Sequence, residues 1–270
     1  MTQKFAPLAL TLVAMIGIAA SSAWEVSAQS YEPTRISKAV ELLDQDQPIY
    51  YTQVNGGGYD EGKALAQTWA DYITYNMEHS PFNTADLRAF MQGLVDGGPT
   101  KSGHRTPTVI AVLPLGGINE TVMWSNYWMV EQVLGSGVHG VLLAHARSPE
   151  VVSILVQAAR YPHAPEAEGI GEGLRGNGGQ GFAARIWGVT QQEYQRLADP
   201  WPLNPDGELL IGLKIEDRHA LKNAEASTAV PGVGFAEWGP GDMRMSFDVG
   251  RTEMPQVLVD ARARVLAVTQ

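Results

Sequence analysis

Cysteine is absent from this 270-residue sequence, and charged residues make up only 18% of it. The lack of cysteine excludes disulfide bonds, cysteine-ligated zinc, iron–sulfur clusters and thiol catalysis. Lysine and arginine (19) are outnumbered by aspartate and glutamate (29), so the formal net charge is -10. Such an acidic chain is unsuited to nucleic acid or an anionic membrane as its main partner. A small anionic ligand would need local positive charge or a metal ion.

Long hydrophobic runs are also missing, except for a short one near the N-terminus. Lys4 precedes an apolar stretch over residues 5–20 and then small residues, which is the layout of a secretory signal. The run contains Pro7 and is shorter than the roughly 20 residues of a membrane-spanning helix. We therefore predict a signal peptide over residues 1–28, cleavage before Gln29, and a periplasmic or secreted protein without a membrane anchor.

Residues 29–270 are predicted to form one α/β domain, because short apolar runs alternate with longer segments of helical period. The predicted strands are Ile49–Val54, Tyr72–Asn76, Thr108–Pro114, Gly140–His145, Leu209–Glu216 and Gly234–Gly239. The predicted helices are Glu61–Ala70, Thr84–Leu94, Val122–Leu134, Pro149–Ala159, Thr190–Ala198, Arg218–Ala229 and Pro255–Val268, with Thr84 and Ser148 as candidate N-caps. This order favours βαβ units in a parallel sheet.

The predicted strand Leu209–Glu216 has two different faces, since successive side chains of a strand point to opposite sides. One face would carry Leu209, Ile211, Leu213 and Ile215, and the other Leu210, Gly212, Lys214 and Glu216. An apolar outer face with two inward charges is typical of a barrel wall, where reactive residues gather at the carboxyl ends of the strands. The same end would hold Asn76, Glu78, His79, His145 and Asp242.

Two glycine-rich stretches resemble loops rather than regular structure. Gly169–Gly181 has seven glycines in thirteen positions, together with Arg175 and Asn177. This composition suits a mobile cover over a site, and equally a surface insertion. The glycines of Gly56–Gly58 match neither dinucleotide-binding nor Walker patterns and predict a turn.

Four motifs together resemble the HpcH/HpaI aldolase and citrate lyase family, the metal-dependent class II pyruvate aldolases. They are Glu78-His79-Ser80-Pro81, Arg160-Tyr161-Pro162, Lys214-Ile215-Glu216 and Gly239-Pro240-Gly241-Asp242. Residues 173–199 also resemble the glycine-arginine loop and following helix of that family. Each motif alone is weak, but their order and spacing over residues 48–268 are specific.

The resemblance implies a (β/α)₈ TIM-type barrel of the phosphoenolpyruvate/pyruvate group that holds one divalent cation, Mg²⁺, Mn²⁺ or Co²⁺. By motif, Glu216 and Asp242 are the metal ligands, and two carboxylates with open positions suit a hard cation. A 2-oxo acid would chelate the ion, which stabilises the enolate left by carbon–carbon cleavage. The backbone at Gly241 and Asp242 would hold the substrate carboxylate, and Arg175 would also contact substrate.

The resemblance also assigns the proton-transfer residues. His79 takes the general-base position and would remove the proton from the C4 hydroxyl; an unperturbed histidine pKa near 6.5 suits that role. Glu78 is predicted to orient water beside the metal rather than to bind it. The alternatives are a packed His79 and a Glu216–Asp242 pair without metal.

Several positions depart from the family pattern. Leu113 stands where a substrate-clamping arginine is expected, Lys214 replaces a glutamine, Asn76 replaces an acid, and Gly135 stands where an aspartate would partner the histidine. Lys214 could take over neutralisation of the substrate carboxylate, or simply pair with Glu216 or Asp242. After the sixth predicted strand only one predicted helix follows. We therefore expect a barrel truncated after that helix, and either a homo-oligomer or missing C-terminal strands.

The function predicted from these residues is an exported aldolase that cleaves a 4-hydroxy-2-oxo acid into pyruvate, or a related 2-oxo acid, and an aldehyde. Three alternatives remain open. They are a 2-oxo diacid decarboxylase on the same metal, a Schiff-base aldolase using Lys214, and a catalytically silent keto-acid-binding barrel.

Overall fold

The computed structural model describes residues 32–268, so the predicted leader and cleavage site lie outside the described residues. The strands are β1 (Tyr51–Val54), β2 (Tyr72–Asn76), β3 (Thr108–Gly116), β4 (Gly140–Ala144), β5 (Pro200–Trp201), β6 (Leu209–Ile215) and β7 (Val233–Trp238). The helices are α1 (Lys38–Asp44), α2 (Tyr59–Leu65), α3 (Thr84–Asp96), α4 (Glu120–Asn126), α5 (Trp128–Leu134), α6 (Pro149–Ala159), α7 (Gln180–Trp187), α8 (Gln191–Leu197), α9 (Arg218–Lys222), α10 (Ala224–Thr228), α11 (Pro240–Ser246) and α12 (Gln256–Ala267).

All strands of residues 32–268 belong to one parallel sheet in the order β1-β2-β3-β4-β6. Both β5 and β7 pair with β6: β5 at Leu209 and Leu210, and β7 from Ile211 to Ile215. Strands that pair in chain order with helices between them are the arrangement of a (β/α) barrel. The predicted parallel barrel-type fold is confirmed, and the six predicted strands are present. The sequence did not predict α1, α11 or the two-residue strand β5, and α7 was expected only from the resemblance of residues 173–199 to a loop and following helix.

Helix boundaries differ from the prediction where capping residues decide them. Asn83, not Thr84, is the N-cap of α3, because its side chain accepts hydrogen bonds from the backbone of Ala85 and Asp86. Ser148 caps α6 as predicted, with Pro149 in the first turn. The predicted helices Val122–Leu134 and Arg218–Ala229 are each divided into two short helices.

The strand β6 has the two faces predicted for it. Its four outward residues are fully buried in the larger hydrophobic core, between the sheet and the helices: Leu209, Ile211, Leu213 and Ile215. Leu210 faces the smaller core inside the curved sheet. Gly212 also faces inward, where a Cβ would lie 2.2 Å from the ring of Phe235. The interior is therefore packed below the level of Lys214 and Glu216.

Helix α1 closes the amino end of the sheet. Ala39 and Val40 are fully buried in the inner core. The N-cap residue Ser37 lies with its Oγ 3.1 Å from Thr108 Oγ1, and its backbone N–H donates to Glu208 Oε2 at 2.8 Å. With the amino end filled, the carboxyl ends of the strands are the side on which a substrate site can form.

The buried carboxyl of Glu208 predicts a pH-dependent stability. Burial raises the pKa of Glu208 from its ordinary value of 4.5 to about 7, although hydrogen bonds from the backbone of Ser37 and Ile36 act to lower it. The native state then binds the proton more tightly than the unfolded state, so this stabilising contribution is present at acidic pH and is lost as pH rises towards 7. We expect Glu208→Gln, which keeps the acceptor but not the charge, to stabilise the protein above pH 7 by up to about 3 kcal/mol.

Urea unfolding at pH 5 and pH 8 measures this effect. The variant should show a smaller loss of stability between the two pH values than the parent. Glu172→Gln, at an exposed position, is the control and should follow the parent. Equal pH dependence in the parent and in Glu208→Gln would contradict the prediction.

Within the described range, none of the helices has both the length and the apolar character that crossing a membrane would require.

Candidate active site

Ionisable side chains from β2, β4, β6 and β7 gather at the carboxyl end of the sheet. One ligand atom each of Glu78, His145 and Glu216 lies within 4.8 Å of the others. Lys214 of β6 contacts Glu78 and is paired in register with Glu237 of β7, so Lys214 and Glu237 both lie beside this group. The sequence predicted this end of the strands as the site, and the structure brings Glu78, Lys214 and Glu216 together there.

Glu216 is the most deeply buried residue of the group, with a side chain 1% exposed. Its Oε1 accepts the backbone N–H of His145 at 3.0 Å. The loop after β7 packs against it so closely that a Cβ on Gly239 would lie 2.5 Å from Glu216 Oε2. Burial raises the pKa of Glu216, while the charge of Lys214 lowers it. A cation bound here would relieve the cost of burying this carboxylate.

Lys214 lies between two carboxylates. Its Nζ donates to Glu78 Oε2 at 2.9 Å and is 4.0 Å from Glu216 Oε2. Burial opposes the charge on Lys214, but the hydrogen bond to Glu78 and the charge of Glu216 outweigh it and raise the lysine pKa. These contacts favour the ammonium form of Lys214, whereas attack on a carbonyl requires the neutral amine.

Glu237 is a third glutamate beside Lys214 that sequence analysis missed. Burial raises the pKa of Glu237 to about 7, against the opposing effect of Lys214, and the charges of Glu216 and Glu78 raise it further. It occupies the inward face of β7, a position that the alternation of the strand could have indicated. The three glutamates give this part of the site an excess of acidic groups over the single lysine.

Asn76 organises the turn that carries Glu78 and His79. Its Oδ1 accepts the backbone N–H groups of Glu78 at 2.9 Å and His79 at 3.2 Å, and its Nδ2 donates to Asn55 Oδ1 at 3.1 Å. An amide oxygen thus provides the acceptor for both N–H groups at a position where the family resemblance implies an acid. This departure from the family pattern leaves the turn intact.

His79 lies at the rim of the group. Its side chain is 64% exposed, and its Nε2 is 3.7 Å from Glu78 Oε2. This position is open to a substrate from solvent and adjacent to the predicted water-orienting residue Glu78. The general-base role of His79 remains a prediction.

His145 and Asp217 form a second pair that the sequence did not predict. His145 Nδ1 is 2.9 Å from Asp217 Oδ2, which also accepts Arg147 Nε at 2.9 Å. Although burial opposes it, hydrogen bonds from His145 and the Ala220 backbone hold the pKa of Asp217 well below its usual range. The bond to Asp217 in turn raises the pKa of His145. The sequence offered one signal, that Asp217 directly follows Glu216 and precedes a helix.

Asp242 and Gly241 lie in the first turn of α11, directly after the Gly239 backbone that packs on Glu216. Because α11 directly follows β7, Asp242 lies at the same end of the sheet, and its charge contributes to raising the pKa of His145. It is not one of the three residues whose ligand atoms meet within 4.8 Å. The predicted roles of Asp242 in metal and substrate binding, and of Gly241 in substrate binding, remain predictions.

Arg175 lies in the helical layer rather than beside Glu216. Its guanidinium carbon is 4.3 Å from the centre of the Tyr161 ring, and its Nη2 donates to Tyr194 Oη at 3.0 Å. Tyr161 lies just after α6, and Tyr194 lies in α8. Substrate binding by Arg175 remains a prediction, and its described contacts give it a packing role.

Leu113 and Gly135 are two further positions that depart from the family pattern. Leu113 is fully buried in the outer core, so the side chain at this position packs against the helices. Gly135 is the C-cap of α5 and lines a cavity of about 280 Å³ with the glycine-rich loop, including Arg175. Neither position supplies a charge to the group around Glu216.

The residues present fit a divalent cation. Two glutamates offer oxygen ligands, which suit Mg²⁺ and Mn²⁺, and an imidazole widens the range to Co²⁺ and Zn²⁺. The buried Glu216 carboxylate and the surplus of acidic groups both favour added positive charge.

Curated proteins of similar sequence are aldolases, although no protein-family model matches the chain. A hydroxypyruvate/pyruvate aldolase of Paraburkholderia phytofirmans is 24% identical over 206 residues, 76% of this chain and 68% of that protein. A hydroxypyruvate/pyruvate aldolase of Roseobacter denitrificans is 29% identical over 195 residues, 72% of this chain and 63% of that protein. The chain thus spans about two thirds of the length of these relatives.

A solved structure shares the fold. An HpcH/HpaI aldolase/citrate lyase family protein from Burkholderia cenocepacia aligns with a TM-score of 0.67 at 22% identity, covering 86% of this chain and 80% of that one. The resemblance to this family predicted from the motifs is confirmed. The relatives are named aldolases, which are carbon–carbon lyases, in agreement with the predicted enzyme class.

Proposed function

We propose that this chain, similar in sequence and fold to HpcH/HpaI aldolases, is a divalent-metal-dependent aldolase. It would cleave a 4-hydroxy-2-oxo acid into pyruvate, or a related 2-oxo acid, and an aldehyde. The observation that carries the proposal is the grouping of Glu78, His145 and Glu216 at the carboxyl end of a parallel, barrel-type sheet. Such a site is where this fold places its chemistry.

The cation would be held by Glu216, with Asp242 as the second ligand that the motif implies. When bound, it supplies a Lewis acid that stabilises negative charge on the keto oxygen of the substrate. Lys214 is 17% exposed and is the ammonium group of the site, so it would neutralise the substrate carboxylate. Backbone N–H groups at Gly241 and Asp242, in the first turn of α11, would provide further contacts to that carboxylate.

His79 would accept the proton of the C4 hydroxyl. As this proton leaves, the C3–C4 bond breaks, the aldehyde forms, and the electron pair moves towards the keto group. Glu78, 3.7 Å from His79 Nε2, would hold the imidazole or an intervening water in position. Subsequent protonation of C3 yields pyruvate. The proposal includes export, which would leave Gln29 as the first residue of the mature chain, a result that N-terminal sequencing can test.

Pyruvate release from a 4-hydroxy-2-oxo acid, followed with a coupled dehydrogenase, tests the proposed function. We expect turnover with Mn²⁺, Mg²⁺ or Co²⁺, its loss after treatment with a chelator, and its return when the ion is restored. Carbon dioxide release from oxaloacetate, without any aldol cleavage, would favour the decarboxylase instead.

Two further outcomes would contradict the proposal. Chelator-resistant turnover, with borohydride trapping pyruvate on Lys214, would establish a Schiff-base mechanism. Binding of a 2-oxo acid without turnover across a substrate panel would establish a silent binding protein.

A further inference from the structure

His145 has a backbone conformation that few residues adopt. Its φ is +52°, in the left-handed region, which costs energy for any residue except glycine and is tolerated best by asparagine and aspartate. In this conformation the backbone N–H donates to Glu216 Oε1 at 3.0 Å, and the ring Nδ1 is 3.9 Å from the same oxygen. The strained backbone therefore brings both the backbone and the ring of His145 against the central carboxylate.

Asp217 holds the His145 ring in this place. Its Oδ2 accepts from His145 Nδ1 and Arg147 Nε, each at 2.9 Å, and its Oδ1 accepts the backbone N–H groups of His219 and Ala220. Asn223 fixes Arg147 in turn by donating to its carbonyl at 2.6 Å. Four donors thus position one carboxylate, and through it one imidazole.

The hydrogen bond between His145 Nδ1 and Asp217 determines which ring nitrogen can bind a cation. An ionised carboxylate only accepts hydrogen bonds, so the Nδ1 facing Asp217 carries the hydrogen. In the neutral ring the lone pair then lies on Nε2. The His145 ring also belongs to the group in which one ligand atom each of Glu78, His145 and Glu216 lies within 4.8 Å of the others. A carboxylate that holds one nitrogen while the other is free is the usual support of a metal-binding histidine.

We infer that His145 is a protein ligand of the divalent cation, positioned by Asp217 and Arg147. This inference rests on the proposed metal-dependent function and adds a nitrogen ligand that the family resemblance does not imply. With a nitrogen ligand the site should favour Co²⁺ and Zn²⁺ over Mg²⁺, because imidazole binds Co²⁺ and Zn²⁺ more strongly than it binds Mg²⁺.

Titration of the metal-free protein with Co²⁺, followed by its visible absorption, tests the inference, with Mg²⁺ affinity from calorimetry as the comparison. In His145→Asn, which suits the left-handed backbone, we expect Co²⁺ affinity to fall about 100-fold and Mg²⁺ affinity to change far less. Asp217→Asn, which retains a helix-capping side chain, should lower Co²⁺ affinity about 10-fold. The parent should also show a Co²⁺-shifted imidazole N–H resonance that both variants alter.

His219→Asn is the matched control, since His219 is exposed and its side chain makes none of these contacts; it should bind Co²⁺ as the parent does. Equal Co²⁺ affinity in the parent and in folded His145→Asn, with binding lost in Glu216→Gln, would overturn the inference and leave the proposed function standing. If the parent binds neither Co²⁺ nor Mg²⁺, the proposed metal-dependent function itself fails. Thermal unfolding of each metal-free variant shows whether it is folded. If His145→Asn does not fold, the Co²⁺ affinity of Asp217→Asn tests the inference instead.

Discussion

Glu216→Gln is expected to abolish tight binding of a divalent cation and to lower aldol cleavage about 100- to 1000-fold, the range found when one electrostatic partner of a reacting oxygen is removed. The glutamine keeps the acceptor for the His145 backbone but removes the charge that the cation requires. Because burial raises the pKa of the Glu216 carboxyl, the neutral side chain should leave the metal-free protein at least as stable as the parent. Calorimetric metal titration, turnover and thermal unfolding measure the three effects.

The matched control for this variant is Glu166→Gln, at an exposed position. It should leave cation binding and turnover unchanged. Parent-like cation affinity in folded Glu216→Gln would show that the assigned site is wrong. Loss of activity together with loss of the fold would contradict the expected stability.

Asp199→Ala is expected to destabilise the protein by about 3–5 kcal/mol, because it leaves the buried charge of Arg160 unpaired. Arg160 Nε donates to Asp199 Oδ1 at 2.7 Å, its Nη2 donates to Asp199 Oδ2 at 3.2 Å, and both side chains are at most 4% exposed. The pair joins the end of α6 to the segment between α8 and β5. Urea unfolding measures the loss.

The chain contains a matched control for this pair. Arg196 Nη1 and Asp206 Oδ2 are 3.3 Å apart, but their side chains are 60% and 75% exposed. Asp206→Ala should therefore cost less than about 1 kcal/mol. Equal losses in Asp199→Ala and Asp206→Ala would contradict the argument that burial makes the difference.

The sequence was sufficient to predict the site wherever strand alternation decides the direction of a side chain. Lys214 and Glu216 face inward because Leu213 and Ile215 must face the outer core, and this constraint is local. Glu237 obeys the same rule on β7, so strand alternation could have indicated its inward face, but its register with Lys214 is set by the pairing of β6 and β7. His145 and Asp217 are 72 residues apart, and no spacing in the sequence predicts their contact.

Loops and departures from the family pattern were harder to interpret. The glycine-rich segment around Arg175 suggested a cover over the site, yet Tyr161, just after α6, and Tyr194 of α8 contact that arginine in the outer layer. Residue identity at Leu113 gave no sign that this side chain faces the helices. Asn76 looked like the loss of an acid, whereas its amide oxygen serves both N–H groups of the turn. In each case tertiary packing, rather than local preference, determines the outcome.

The ammonium of Lys214, within 4.0 Å of two glutamates, acts as a resident counter-ion. A divalent cation would therefore add positive charge to a centre that Lys214 already partly compensates, so the lysine competes electrostatically with the ion and should lower its affinity. The molecule can fold with its acidic centre compensated before any ion arrives. Replacing the lysine by the glutamine of the family pattern would remove that competitor, at the expense of an uncompensated centre in the empty protein.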